Sequence, residues 1–478
     1  MGKLHFEKQT LEKYSFFLPS FLFALAAWGM GMRVPGLFQG SKMLAQAPLL
    51  IILPLIIMLV PALFPAEPVP GLSKQPLRPW RENAPGLILA SFFFLGYLAF
   101  GSLLNIPGSP ANNIFFAADS GSWQSRLVSA EYEALDLRAV HPMAPLFLRL
   151  PVSIFSILAG GNRFFAGLAS LALAGAASVF LAWKILSAWQ LPAYYAVGIA
   201  SLFGLASAHI LFSSVFESYI FSAFLLTLFC GFALDAAKPA WALILAGTLA
   251  FGVTLSNFAQ NIVTLFFTRR NLRLLLIVGV AVLLASAILN VVTVQTYGGD
   301  AYFFLPGALG NENRFLQGFS ASRAAQLAGN MFVYNIAAPE PYFQIKQVGP
   351  RFNFLPDAIK DYPLFGFPAL FGWLLLLAVS FFYFARTFKF DDLLSRFSLG
   401  LLFCLGLNFI LHSIYGFETF LYAADWTYAT VLFAGFNLRT LAGKTWFKAS
   451  FLVFLLFLLL NNLWFVYFIA KLFEKSLP

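Results

Sequence analysis

The chain reads as an all-α protein, a polytopic transmembrane helical bundle with two long outer-face loops. Composition, apolar runs and the placement of Lys and Arg predict this. Of 478 residues, 60% are hydrophobic, 18% aromatic and only 10% charged, and 59 are Phe. A soluble chain of ordinary composition is about a quarter charged. That excludes a soluble enzyme, a disordered chain and a nucleic-acid-binding domain. Thirty Lys+Arg against 20 Asp+Glu give +10. These bases are spread thinly between apolar runs, so they orient the chain in a membrane and form no polyanion-binding patch.

A span needs about 20 mostly apolar residues. About thirteen stretches qualify or nearly so: 14–32, 46–65, 84–104, 163–184, 192–212, 218–235, 239–255, 258–268, 271–293, 364–385, 395–414, 419–437 and 448–470. Within the first, Ala24-Leu25-Ala26 follows a short apolar stretch and mimics a signal-peptidase site. Its apolar run continues to Met32, so it is read as a retained helix. The piece at 258–268 crosses alone only if 255–270 is one tilted helix. The stretch 142–158 holds three prolines and Arg149. Proline breaks the backbone ladder, so a juxtamembrane or re-entrant helix is expected there rather than a span.

Every connection on the predicted cytoplasmic side carries at least one base: Lys3, Lys8 and Lys13, then Lys74, Arg78 and Arg81, then Lys184, Lys238, Arg269, Arg270 and Arg273, then Arg386, Lys389 and Arg396, then Arg439, Lys444 and Lys448. This puts the N-terminus inside, the C-terminus outside, and two long loops outside, from about Asn105 to Asn162 and from about Val294 to Pro363. Loops this long usually serve a function. Cys230 and Cys404 lie in apolar runs and read as packing thiols. No Asn-x-Ser/Thr sequon and no internal repeat is apparent.

The candidate chemistry gathers on the outer side. Phe115-Phe116-Ala117-Ala118-Asp119-Ser120-Gly121-Ser122-Trp123 leads into a segment read as an interfacial amphipathic helix, with Trp123, Leu127, Val128 and Leu135 on one side and Arg126, Ser129 and Glu133 on the other. Asp119 is either an N-cap or a general base that takes a proton from an acceptor hydroxyl. Arg126, Arg138, His141 and Arg149 surround a proline-broken approach to the bilayer, Arg138-Ala139-Val140-His141-Pro142. They suit a lipid phosphate, or the arginines snorkel to headgroups and His141 is a structural hydrogen-bonder. Glu217, in Phe216-Glu217-Ser218-Tyr219, falls on the same side as Asp119 by topology, as site residue or helix cap. Glu418 and Asp425 are seven residues apart and would share a helix face, unless 415–425 stays interfacial and the helix starts later. No HExxH, paired Cys, DxD, Walker or GxGxxG pattern occurs, so no cofactor is evident and a divalent metal has no motif behind it.

The order of these features resembles the GT-C superfamily of integral-membrane glycosyltransferases, in the branch of protein mannosyltransferases and aminoarabinose transferases. An outer Asp precedes an amphipathic helix, then comes His141-Pro142-x-x-Pro145-Leu146, then an acidic residue before a Tyr-containing span. The resemblance covers roughly 84–295. It implies that Asp119 is the catalytic carboxylate and Glu217 the second acidic motif. It also implies a sugar transferred from a polyprenyl-phosphate donor on the outer face. Two extra spans precede the loop here, and Phe-Glu-Ser-Tyr replaces the commoner Pro- or Thr-Asp.

The division implied is 1–83 (two spans and a cytoplasmic loop), 84–295 (catalytic membrane module), 296–363 (outer lid) and 364–478 (C-terminal helices). The lid would stack Tyr297, Tyr302, Phe303, Tyr334 and Tyr342 on a sugar or seal the site, with Asp300, Glu312, Arg314, Arg351 and Asp357 fixing the acceptor. Membrane lipids and an acceptor of unassigned class are the other expected partners, with no nucleic acid. The expected location is a bacterial inner membrane with the site on the periplasmic face. The alternative is a transporter or flippase for a lipid or a lipid-linked sugar. It would need polar groups near the midplane and broken helices, whereas the mid-span residues read as nearly all Leu, Phe, Ala and Val.

The topology has a direct check. Cysteines replacing Ser122, Ser320 and Ser476 should be labelled by an impermeant reagent from outside, and Lys74→Cys should be protected. The reverse pattern inverts the orientation.

Overall fold

A computed structural model describes residues 15–33, 78–107, 113–129, 137–189, 191–346, 349–355 and 357–475. The span expected at 46–65 lies outside them. The described chain is helical almost throughout. Its helices are α1 (Leu18–Arg33), α2 (Arg78–Leu104), α3 (Ser120–Val128), α4 (Ala144–Leu158), α5 (Arg163–Ala188), α6 (Ala193–Leu205), α7 (Ser207–Phe212), α8 (Tyr219–Leu234), α9 (Ala240–Val253), α10 (Ser256–Arg269) and α11 (Leu272–Tyr297). There follow α12 (Ala321–Gly329), α13 (Phe367–Thr387), α14 (Leu393–Ile414), α15 (Ala424–Asn437) and α16 (Thr445–Lys475). Among the described residues, six helical stretches are long and apolar enough to cross a membrane: Glu82–Leu104, Arg163–Ala188, Leu272–Tyr297, Leu364–Thr387, Leu393–Ile414 and Thr445–Lys475. The chain therefore has transmembrane character.

Local chemistry sets the helix ends. Asn162, Asn271 and Asp392 cap α5, α11 and α14, each accepting from the backbone N–H three residues on. Pro192 and Pro239 immediately precede α6 and α9, positions where a missing N–H costs nothing. The core is aromatic and closely fitted. Phe23 of α1 meets Phe93, Tyr97 and Phe100 of α2. The two helices approach so closely at Gly96 that an added Cβ would lie 2.2 Å from the Phe23 ring. A smaller cluster of Phe229, Leu243, Phe251, Leu265 and Val282 joins α8 to α11.

The structure departs from the sequence reading at several points. The stretch 192–212 is two helices broken at Ala206. The helix around 258–268 has 14 residues, about 21 Å at 1.5 Å per residue, which is shorter than a hydrocarbon core of about 30 Å. The segment 419–437 opens with a 3₁₀ turn, Thr419–Tyr422, and α15 starts only at Ala424. Glu418 and Asp425 therefore do not share a helix.

Buried polar groups are also more numerous inside the bundle than the apolar reading implied. Asn257, Gln260, Asn261, Thr264 and Thr268 form a buried stripe along α10. Asn461 and Asn462 are buried in α16. Each run is short and flanked by Phe or Leu, which masked it in the hydropathy.

The second loop folds onto the bundle. It contains α12 and a hairpin, β1 (Tyr342–Lys346) and β2 (Gly349–Asn353), with Phe343 opposite Phe352. Phe352 also bridges to Phe115 of the first loop. The Phe352 N–H donates to Ile114 O (2.7 Å), and the Phe116 N–H donates to Phe352 O (3.1 Å).

The break at Ala206 leaves backbone groups that an apolar interior cannot solvate. Asn462 Nδ2 donates to Leu205 O and to Ile336 O, both at 2.6 Å, and Asn462 Oδ1 accepts from the Ala338 N–H at 3.3 Å. Replacing Asn462 by Leu strands these partners, at about 1–3 kcal/mol per buried unpaired group. Asn462→Leu should melt well below wild type in detergent. An unchanged melting temperature would mean that the break does not depend on this side chain.

Candidate functional site

One cavity of about 500 Å³ opens where the first loop, the second loop and the ends of α8, α9, α10, α14 and α15 converge. Its lining includes Asp119, Arg138, His141, Glu217, Glu312, His412, Tyr415, Glu418, Tyr422 and Asp425. Six of the eight candidate residues thus come together: Asp119, Glu217, Arg138, His141, Glu418 and Asp425.

Asp119 is set by strained backbone. Asn113, Phe116 and Ala117 have φ of 64°, 52° and 61°, a left-handed region costing non-glycine residues about 1–3 kcal/mol each. The bridge to Phe352 and a tight turn, Ala118 N–H to Phe115 O at 2.9 Å, hold them there. The Asp119 side chain makes no capping hydrogen bond to α3. It is 42% exposed and pairs with Arg138 at 3.5 Å. The Asp119 N–H donates instead to Glu217 Oε2 at 3.0 Å.

Glu217 is only 2% exposed. Its Oε1 accepts from the Ser218 N–H at 2.8 Å and the Ser218 hydroxyl at 3.2 Å. Burial and then the charge of Asp119 push its carboxyl up to about 7, against the pull of these donors. Glu418 is likewise raised to about 7 by burial, while accepting from the Phe420 N–H at 3.1 Å.

Arg138 is the cation of the cavity. Its Nε and Nη2 donate to Glu312 at 3.1 and 2.5 Å, and the Tyr415 hydroxyl donates to Glu312 at 2.6 Å. Burial pulls the Arg138 pKa down, but the hydrogen bond and charge of Glu312 outweigh it, so the net shift is upward.

His141 is also in the cavity. Burial and the charge of Arg138 lower it to about 3, so the ring is neutral. Its Nδ1 lies 2.7 Å from Val253 O. A carbonyl can only accept, so the proton is assigned to Nδ1. The remaining Nε2 is an acceptor, which suits a donor group and not a phosphate oxygen.

Two candidate arginines go elsewhere. Arg149 donates to Arg126 O at 2.7 Å and Ser129 O at 2.5 Å. With Arg163, which donates to Val128 O at 2.8 Å, it satisfies carbonyls at the C-terminal end of α3. Arg126 is buried, its guanidinium 4.9 Å from the Trp123 ring centre. Neither lines the cavity. So Arg126, expected on the polar side of α3, is buried, while Ser125 is exposed and Ser122 and Gln124 are half-buried.

Of the second-loop residues expected here, only Glu312 reaches the cavity. Leu309, Asn313, Phe315 and Leu316 join it, whereas Phe303 packs on Phe251 and Tyr334 is buried against Phe354.

Sequence reasoning missed Tyr415, Tyr422, His412 and Arg323. Arg323, from α12, donates to Ser413 O at 3.1 Å, His412 O at 2.9 Å, Tyr415 O at 2.9 Å and Gly416 O. It therefore caps the end of α14 and fixes the turn carrying Tyr415 and Glu418. Gly416 has φ +86°, and an added Cβ would strike the Tyr422 ring. A glycine between Tyr415 and Phe417, just before Glu418, was the available signal.

Among the described residues no group of three or more His, Cys, Asp or Glu is arranged to hold a metal ion. No protein-family model matches the chain, and no curated protein matches it in sequence.

The raised carboxyls give a pH signature. A carboxyl at about 7 in the fold, against about 4.3 unfolded, binds more protons in the native state between those values. Its contribution is present below about 4.3 and lost as pH rises through about 7. Thermal stability should therefore fall between these pH values, and Glu217→Gln with Glu418→Gln should flatten the slope. An unchanged slope in the double variant would contradict this assignment.

Proposed function

We propose that the protein is a membrane glycosyltransferase of GT-C type. It transfers a sugar from a polyprenyl-phosphate donor to an acceptor hydroxyl on the outer, periplasmic face of a bacterial inner membrane. The bundle would have about thirteen spans, with 84–295 as catalytic module and 296–363 as lid. The observation that carries this reading is the meeting of Asp119 and Glu217, 98 residues apart, in one cavity roofed by both outer loops.

The Asp119 carboxylate takes the acceptor's proton. The acceptor oxygen bonds the anomeric carbon as the bond from that carbon to the phosphate oxygen breaks, and polyprenyl phosphate leaves with the electron pair. Glu217 holds Asp119 through its amide, and its own carboxyl, raised to about 7, is close to half protonated near neutral pH. Arg138 supplies positive charge beside Asp119, where the leaving phosphate gains charge. Glu418 and Asp425 line the same cavity and bind sugar hydroxyls.

A second reading, a transporter or flippase of the same lipid-linked sugar, is favoured by the break at Ala206 and the buried polar stripe of α10.

The test is transfer of labelled sugar from polyprenyl-phosphate sugar to a membrane acceptor fraction. Asp119→Asn should lower turnover about 10²–10⁴-fold at matched expression. Near-normal turnover removes Asp119 as base and leaves Glu217 as the next candidate. Movement of the intact donor across proteoliposomes, with no transfer, would favour the second reading.

A further inference from the structure

A second pocket lies at the opposite end of the helices that build the cavity. It occupies about 290 Å³ and is lined by Phe266, Phe267, Arg270, Asn271, Leu272, Leu275, Phe390 and Arg396. It shares no residue with the first. The ends of α10 and α14 meet here. Arg396 Nε donates to Phe267 O at 3.0 Å, and Arg270 lies 3.7 Å from Asp391. The basic clusters 269–273 and 386–396 therefore converge on one face.

We propose that this pocket binds an anionic phospholipid, with its phosphate on Arg270 and one acyl chain along Phe266, Leu272 and Leu275. Arg396 builds the wall: besides Phe267 O, it donates to Phe390 O at 3.0 Å and Asp391 O at 2.9 Å. Arg270 is the recognising group. It occupies the left-handed position after α10, φ 48°, where glycine is the unstrained choice. Its guanidinium lies over the Phe390 ring at 5.0 Å. Its carboxylate partner Asp391 is fully exposed, and such a pair is weak enough for a phosphate to displace.

Apart from Asn271, whose side chain caps α11, the rest of the pocket is apolar, and its wall continues outward through exposed Phe266, Leu272, Leu276 and Phe390. A soluble anion would leave that surface uncovered, whereas a phospholipid matches both parts. Arg273, Arg386 and Lys389 lie within a few residues of the lining in sequence and add positive charge at this end of the helices, the density that anionic headgroups favour, whereas Arg269 donates to Phe232 O and Asp235 O. This inference does not depend on the proposed transferase activity.

The experiment measures lipid retention by native mass spectrometry of the full-length protein in detergent. The probes are phosphatidylglycerol and phosphatidylcholine. Phosphatidylglycerol should be retained about tenfold better. Arg270→Gln should lower that retention about fivefold, the worth of one near-surface charge, and Arg270→Lys should largely preserve it. Leu275→Trp keeps the charges but fills the wall and should also reduce retention, whereas Lys444→Gln should not. Melting curves identify any variant that has not folded. Equal retention of the two lipids, wild-type retention by Arg270→Gln or by Leu275→Trp, or full displacement by millimolar inorganic phosphate would each overturn the proposal.

Discussion

Inside an apolar bundle there is no water to receive a broken backbone, so every interruption of a helix must be closed by a side chain or by another segment. Much of this architecture follows from that constraint. Asn462 and residues 335–336 close the break at Ala206, and the Tyr97 hydroxyl takes Gly204 O at 2.7 Å. Glu217 and Asn105 close the interruption before α8, Asn105 Nδ2 donating to Ser214 O at 2.7 Å. Arg323 closes the end of α14. The cavity sits where the last two of these repairs meet. The groups that satisfy the backbone there, or the turns they hold in place, are also the groups that face the cavity.

The cavity's charge is unusual for its proposed ligand. Five carboxyls, from Asp119, Glu217, Glu312, Glu418 and Asp425, face one guanidinium, that of Arg138. Arg138 is itself committed to Glu312 and near Asp119. Burial keeps Glu217 and Glu418 on the edge of protonation near neutral pH, which reduces the negative charge a departing phosphate would meet. On this reading a single arginine suffices because burial leaves Glu217 and Glu418 only partly ionised near neutral pH. Tyr415, whose hydroxyl burial and Glu312 keep protonated, gives that proton to Glu312 in a hydrogen bond on the same side.

Much of the secondary structure was legible in the sequence, because apolar length and Lys/Arg placement report directly on helices in a bilayer. Asp119, Arg138, His141, Glu217, Glu418 and Asp425 were legible because ionisable residues are rare in this composition. Their roles were less so. Arg126 and Arg149 looked equivalent to Arg138 in the sequence. Only the carbonyls left open at the end of α3 recruited Arg149 away from the cavity. Similarly, nothing local marks Arg323 as the cap of a helix ending at Ile414.

The sequence by itself determined that this is a helical membrane protein whose scarce charges sort into a basic set and an acidic set along the chain. It did so because hydropathy and charge are properties of single residues and short windows. The tertiary structure decided which acids share a cavity, that Asp119 is held through its amide and not spent as a cap, and that the basic clusters at 269–273 and 386–396 enclose a pocket of their own. Those outcomes depend on how broken helix ends find partners across about a hundred residues of chain. Such pairing is fixed by packing in three dimensions and has no signature in local pattern.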